Sequence, residues 1–425
     1  MLQPYQRYEV NEIIETLAKN LDISESQHNA AIKSYQAVGN WLTKDDSELS
    51  QYNPTIAPQG SFIIGTIIQP IDPEGDIDLD IVCELKGKKI HWTQKDLKDL
   101  VGNQLIKHKT YNSLLDEEGR RCWTLKYREN SDSSEKYHMD ILPAINTHGH
   151  SVILSKQLTN LESTDYKELL ISITDKEKLP EYYIETNPLN WLQSNPFGYA
   201  KWFMVMANKY SGVKTKMFSF RNAVKPTPDY QTNKLPLQRV VQLLKRHRDI
   251  MFQDYNSEDK KEKPISCIIT TLAAKAYSGE DNILDALYNV IYRMENFIES
   301  KYDYDLGREI SWISNPVNEN ENFADRWALP NSKREKFFHE WVDKLKNDLD
   351  IFKKDFNRKD LHKRLKTSFG VDPVDRTFSQ IATLRMEQTK NGVNKIDREL
   401  GLLGTVSTTS NTISNVKPHT FFGNE

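Results

Sequence analysis

Gly60-Ser-Phe-Ile-Ile-Gly-Thr66, followed after a Pro-Glu-Gly turn by Asp76-Ile-Asp-Leu-Asp-Ile-Val82, is the stretch that decides the fold. Side chains alternate faces along a strand, so Asp76, Asp78 and Asp80 share one face and the aliphatic residues between them turn to a core. Carboxylates stacked on one face repel each other unless a cation sits among them. Mg²⁺ is the natural cation, because it prefers carboxylate oxygens together with substrate phosphates. A later apolar run, His138-Met-Asp140-Ile-Leu, carries one more acid. Three carboxylates from two neighbouring strands can hold two metals, an arrangement suited to in-line displacement at a phosphate. Gly60 and Ser61 add the phosphate side: glycine lets the backbone approach, and the hydroxyl and nearby N–H groups can donate to phosphate oxygens.

Working outward, residues 6–45 read as helical. Ile13, Ile14, Leu17 and Leu21 fall at helical spacing, as do Ala31, Ile32, Tyr35, Val38 and Leu42. Residues 52–60 are turn-rich. Residues 60–145 read as β-rich, with short runs at Ile63-Ile64, Ile67-Ile68, 81–83, 122–125 and 137–142 and a helical pattern at 95–107. From about residue 196 onward the pattern is mainly helical, with apolar faces at 237–244 and 268–277 and an amphipathic one at 337–352. Residues 405–415 are rich in Ser, Thr and Asn and read as a flexible tail. The expected organisation is N-terminal helices (1–50), a catalytic core (51–195), a helical lobe (196–400) and a tail (401–425). The fold class is α+β, with an active-site cleft between the core and the helical lobe.

The composition narrows the function. At 38% hydrophobic and 28% charged residues the chain can bury a core and is too apolar for wholesale disorder. A formal net charge of −3 gives no strong case for duplex DNA, whose binding rewards a basic excess. Cys83, Cys122 and Cys267 are far apart, so neither a zinc site nor a disulfide framework is expected. No apolar run approaches membrane-spanning length and the N-terminus lacks an apolar signal region, so the expectation is a cytoplasmic protein with no membrane partner. His148 and His150 have no partners at ligand spacing and read as a loop. The basic run at 358–366 reads as a solvated helix face.

The acids and the Gly-Ser pair stand in an order that resembles the DNA polymerase β-type nucleotidyltransferases. Within them the chain is most similar to the bacterial cyclic-oligonucleotide synthases of antiphage signalling, the CD-NTases of CBASS systems, relatives of cyclic GMP–AMP synthase and oligoadenylate synthase. The resemblance rests on 60–70, on Asp78-Leu-Asp-Ile-Val-Cys-Glu84, on Arg121-Cys-Trp-Thr-Leu-Lys-Tyr127 and on Tyr137-His-Met-Asp-Ile-Leu-Pro-Ala144. It continues in Asn195-Pro-Phe-Gly-Tyr-Ala-Lys-Trp202, Asn315-Pro-Val317 and Glu321-Asn-Phe-Ala-Asp-Arg-Trp327. It implies a polymerase β-like core, a mixed sheet with flanking helices, followed by an oligoadenylate-synthase-like helical lobe. Its register selects Asp78, Asp80 and Asp140 as the catalytic and metal-binding acids and leaves Asp76 as a turn residue or a support.

By the same resemblance Lys245, in Leu-Leu-Lys-Arg-His-Arg, and Ser266, at a helix start, reach the triphosphate tail beside Gly60 and Ser61. The plain alternatives are an exposed basic residue and a helix cap. The implied cofactor is Mg²⁺, two ions per site, with Mn²⁺ able to substitute. The implied substrates are nucleoside triphosphates, ATP or GTP or both. The implied product is a cyclic di- or oligonucleotide acting on a CBASS effector, with pyrophosphate released. A linear oligonucleotide or RNA-tailing polymerase is a second reading, and a catalytically silent nucleotide-binding regulator a third. Base choice is expected around 171–173 and Asn195-Pro196. Family members whose tails end in a pattern like Pro418-His-Thr-Phe-Phe-Gly423 are joined there to a partner by an E1/E2-like enzyme. Here Asn424 and Glu425 follow the glycine, and an end without a role is the alternative.

Overall fold

The computed structural model describes residues 4–72, 75, 77–127, 136–146, 169–209, 223–353, 357–391, 395–397, 402–404 and 413–415. Asp76, His148, His150 and the chain end at 416–425 lie outside these residues.

Two helices open the chain, α1 (Pro4–Lys19) and α2 (Glu25–Thr43). They serve different cores. Ile13, Ile14, Leu17 and Leu21 pack into the helical part of the molecule. Ala31, Tyr35, Val38 and Leu42 pack against the sheet. Ser24 separates them as a capping box, its hydroxyl accepting from the Gln27 amide while the Gln27 side chain accepts from the Ser24 amide.

The sheet has six strands: β1 (Thr55–Pro58), β2 (Ile77–Leu85), β3 (Trp123–Tyr127), β4 (Tyr137–Ile145), β5 (Ile171–Ile173) and β6 (Leu192–Ser194). The order is β1-β2-β4-β5-β6, with β3 also on β4. The β2–β4 pair is parallel and every other pair is antiparallel, so the sheet is mixed. Period-two burial settles which face is which. Leu79, Ile81, Cys83, Met139 and Ile141 face the core under α2 and α4 (Gln94–Ile106). On the opposite face Val82, Leu142 and Ala144 join a smaller core with Phe197. Asp78, Asp80 and Asp140 begin that second face, where the sheet edge leaves it open.

Helices follow: α5 (Pro196–Asn208), α6 (Pro236–Phe252), α7 (Ser266–Ala276), α8 (Ile283–Arg293), α9 (Arg334–Leu349), α10 (Arg358–Phe369) and α11 (Val371–Lys390). They share one large core with α1. In the 358–366 run Lys359, Lys363 and Arg364 are exposed, as expected of a solvated face.

Three expectations need correction. Ile63-Ile64 and Ile67-Ile68 are not strands: α3 (Gly60–Ile63) is one helical turn, and the chain after it runs without a sheet partner. Its carbonyls are satisfied instead by side chains of α6. Gln238 Nε2 donates to Ile64 O at 2.8 Å, Gln242 Nε2 to Ile67 O at 2.7 Å, Lys245 Nζ to Thr66 O at 3.0 Å and Arg246 Nη2 to Gln69 O at 2.6 Å. Buried carbonyls need donors, and long polar side chains of a buried helix serve as well as a strand does. In the turn-rich 52–60 stretch, Thr55–Pro58 is the edge strand β1, a place that tolerates proline. At the far end Ile413–Asn415 pairs antiparallel with Lys395–Asp397, which also pairs with Leu402–Gly404. Part of the supposed flexible stretch is thus a strand, because side-chain polarity does not prevent backbone pairing.

Candidate active site

The three acids come together through strand register. In the parallel β2–β4 pair Asp80 lies directly opposite Asp140, and Asp78 opposite His138. Asp78 is exposed, whereas Asp80 and Asp140 are half-buried. Asp80 keeps an opening to the cleft but sits deep below the molecular surface. Burial, with the charges of Asp140 and then Asp78, pushes its carboxyl up to about 7, against a weaker pull from Lys245. Thr124, on β3 and opposite Asp140, donates its hydroxyl to Asp140 Oδ1 at 2.5 Å and fixes that carboxylate's rotation.

Gly60 crosses immediately above. Its φ of +63° is a left-handed conformation, and a Cβ there would lie 2.3 Å from Asp80 Oδ2. The Gln59 amide donates to Asp80 O at 2.8 Å, which ties the turn to the strand. Gly60, Ser61, Asp78, Asp80, Lys245 and Ser266 all line one cleft of about 1010 Å³ between the sheet and the helices. That is at the top of the roughly 300–1,000 Å³ range of small-molecule sites. Asp140 stands behind Asp80 rather than on the cleft wall.

The far wall is cationic. Lys245 is buried, and burial together with Arg248 brings its ammonium down to about 8. Neither plain alternative describes Lys245 or Ser266. Lys245 is not an exposed basic residue, and the residue capping α7 is Ile265, which has no side-chain cap bond. Ser266 Oγ instead accepts from Arg248 Nη1 at 3.0 Å. Arg248 is held further by Asp249 and by Pro264 O, and Lys263 also pairs with Asp249. Arg248 and Lys263 line the cleft and were not singled out from sequence. Arg248 had a signal: three residues after Lys245 on a helix puts both on one face. Of the segments expected to choose the base, Asn195 and Pro196 line the cleft, but 171–173 is buried within the sheet, where Ser172 Oγ donates to Pro188 O at 2.6 Å.

Among the described residues no three His, Cys, Asp or Glu side chains group closely enough to hold a metal ion by themselves. Mg²⁺ does not require that, because it is bound by one or two carboxylates while waters and substrate phosphates complete its coordination. A strand face of like charges, with one carboxyl raised by burial and then by its neighbours, fits a divalent cation chemically. If Thr124 orients Asp140 for a metal, Thr124→Val, which keeps the shape and removes the donor, should weaken Mn²⁺ binding by about tenfold, the usual cost of losing a partner behind a ligand. Titration followed by electron paramagnetic resonance reads this directly. Unchanged affinity would show that the hydroxyl only packs.

Comparison with known proteins adds three findings. Residues 9–177 match the family model described as the Second Messenger Oligonucleotide or Dinucleotide Synthetase domain. Over 419 residues the chain is 29% identical to a c-di-GMP synthase of Roseivirga ehrenbergii, an alignment covering 98% of this chain and 97% of that protein. The fold matches the Bradyrhizobium diazoefficiens CD-NTase CdnG, solved in complex with GTP, with a TM-score of 0.60 at 19% identity, over 88% of this chain and 99% of that one. It also matches E. coli MS115-1 CdnC with ATP, with a TM-score of 0.55 at 14% identity, over 85% and 97%.

Proposed function

We propose that this chain is a nucleotidyltransferase of the second-messenger oligonucleotide and dinucleotide synthetase kind, producing a cyclic oligonucleotide, and that Asp78, Asp80 and Asp140 carry the catalysis. The observation behind this is the register that sets Asp80 opposite Asp140 beneath Gly60. The three acids would hold Mg²⁺, two ions per site with Mn²⁺ as a substitute, which when bound supplies charge neutralisation at the phosphates and a more acidic acceptor hydroxyl.

The rest of the work belongs to the chain. Gly60 and Ser61 bring backbone and hydroxyl donors to the phosphates. Lys245 and Arg248 meet the triphosphate charge, and the helix start of α7 at Ser266 faces its end. In this reading Lys245 exchanges its bond to Thr66 O for a phosphate oxygen. The acceptor ribose hydroxyl attacks the α-phosphorus, the bond to the bridging oxygen breaks and pyrophosphate leaves. A second transfer within the same cleft closes the ring. Positioning and fixed charge account for the rate, as little covalent chemistry falls to the protein.

The relative's product makes cyclic di-GMP the first product to test, and GTP the first substrate. A role in CBASS antiphage defence, with a downstream effector reading the product, follows from the same family. So does a cytoplasmic site of action; no helix among the described residues is long and apolar enough to cross a membrane. Conjugation of the chain end by an E1/E2-like partner concerns 418–425, outside the described residues.

Incubation with the four ribonucleoside triphosphates and Mg²⁺ or Mn²⁺, then phosphatase, tests the reading. A phosphatase-resistant product is expected from GTP alone, and none from Asp78→Ala/Asp80→Ala protein. Phosphatase-sensitive chains would favour linear polymerisation instead.

A further inference from the structure

The cleft carries both signs of charge. Lys245, Arg248, Lys260 and Lys263 line it, with Asp249 and Asp254 among them. Glu321 and Asn315, with the rings of Tyr199 and Phe323, line it as well. A triphosphate is drawn to the cations and repelled by Glu321, which leaves that carboxylate and the two rings to meet the base.

Glu321 is held for recognition. Asn315 Nδ2 donates to its Oε2 at 2.7 Å, and Asn315 Oδ1 accepts from the Val317 amide at 3.1 Å. The next residue, Asn322, locks the ribbon: its Oδ1 accepts from the Ile313 and Ala324 amides at 2.8 and 2.9 Å, and its Nδ2 donates to Ser311 O at 3.0 Å. The strands concerned, Ser314–Asn315 and Asn318–Asn322, pair with a register shift between Asn318 and Asn322, the kind of irregularity that re-aims a side chain. Burial pushes the Glu321 carboxyl up, against the pull of the Asn315 hydrogen bond and then of Arg121. A partner offering two donors would restore the hydration this carboxylate has lost. Each of its oxygens has more than one lone pair, so the bond from Asn315 leaves both able to accept again.

Resting on the nucleotidyltransferase reading above, we infer that Glu321 is a specificity-determining residue that selects guanine. Guanine alone among the four bases places two donors side by side, N1–H and the N2 amino group. Adenine and cytosine set an acceptor beside their amino donor, and uracil flanks its single N–H with two carbonyls, so each aims a lone pair at the carboxylate. A site built to bond a particular donor rejects analogues that lack it more strongly than a site that only fits their shape.

Glu321→Gln tests this. A glutamine amide presents one donor and one acceptor, which complements adenine N1 and N6. Equilibrium binding of GTP and of ATP, each with Ca²⁺, should show the wild type preferring GTP by at least about tenfold, the lower range for hydrogen bonds to a charged group. The variant should lose about 10–100-fold for GTP, with ATP changing less than threefold or improving. Equal losses for both nucleotides at an unchanged melting temperature would show a structural role and overturn the inference. So would a wild type that binds the two alike, and that result would leave the nucleotidyltransferase reading intact. A wild type that binds neither would overturn both.

Discussion

Asp80→Asn abolishes product formation, by at least about 10³-fold, and at the same time makes the metal-free protein more stable at neutral pH. The loss is of the size seen when a group acting mainly in the transition state is removed. The gain follows from the raised carboxyl. Asp80 titrates near 7 in the folded protein, against 3.8 for an ordinary aspartate. A carboxyl whose folded value is raised costs stability where it must ionise. The penalty is absent below about 3.8, grows between 3.8 and 7, and is fully present above 7. Each unit is worth about 1.4 kcal/mol, and cleft water lowers the sum, so the neutral isostere should gain about 1–3 kcal/mol.

Thermal melting of wild type and variant in chelator from pH 4 to 8 reads the effect as a gap that opens with pH. A gap that stays flat would mean that Asp80 ionises freely. The same proton competes with metal, so apparent Mn²⁺ affinity should rise about tenfold per unit up to pH 7 and level off above it. These acids are a strained site whose cost is carried by the rest of the fold.

Gly60→Ala is the second large effect. The new Cβ would meet Asp80 Oδ2 at 2.3 Å and would stand at a φ of +63°, where L side chains are disfavoured. Far from being the flexible end of a surface side chain, the obstructing atom is the carboxylate the reaction needs. Relief moves either Asp80 off its line with Asp140 or the Gly60-Ser61 turn away from the strand. A displacement of about 1 Å at a reacting centre costs about 10²-fold in rate, so kcat should fall at least that far. Stability should fall by about 1–2 kcal/mol from the backbone alone. Ser61→Ala has no such clash and should retain most of the stability, which makes it the control. Near-normal turnover from Gly60→Ala would show that the turn does not set the position of Asp80.

Much of the site was readable because strand and helix periods are local. Asp78 and Asp80 two residues apart announce a shared face, and the aliphatic residues between them announce a strand. Asp140 stands out because an acid in an apolar run demands a reason. Lys245 and Ser266 needed the family pattern, since a lysine in a basic run and a serine at a helix start are common. Glu321 opens the 321–327 stretch that resembles the family, but nothing local marks its role: Asn318–Asn322 is polar throughout, and such a strand gives no period to read.

The sequence by itself determined which residues face the core along the strands that carry the acids and along the apolar helices, and that three acids would sit on one side of a sheet. Backbone geometry imposes those periods within a single element, so neighbouring residues suffice to read them. Only the tertiary structure decided that β2 and β4 run parallel with Asp80 opposite Asp140, from positions 140 − 80 = 60 residues apart. It alone decided that the chain after Ile63 is a loop satisfied by Gln238, Gln242, Lys245 and Arg246 rather than a strand. Register and the partners of buried carbonyls are settled by competition among all donors in the folded molecule, and no local pattern records the outcome.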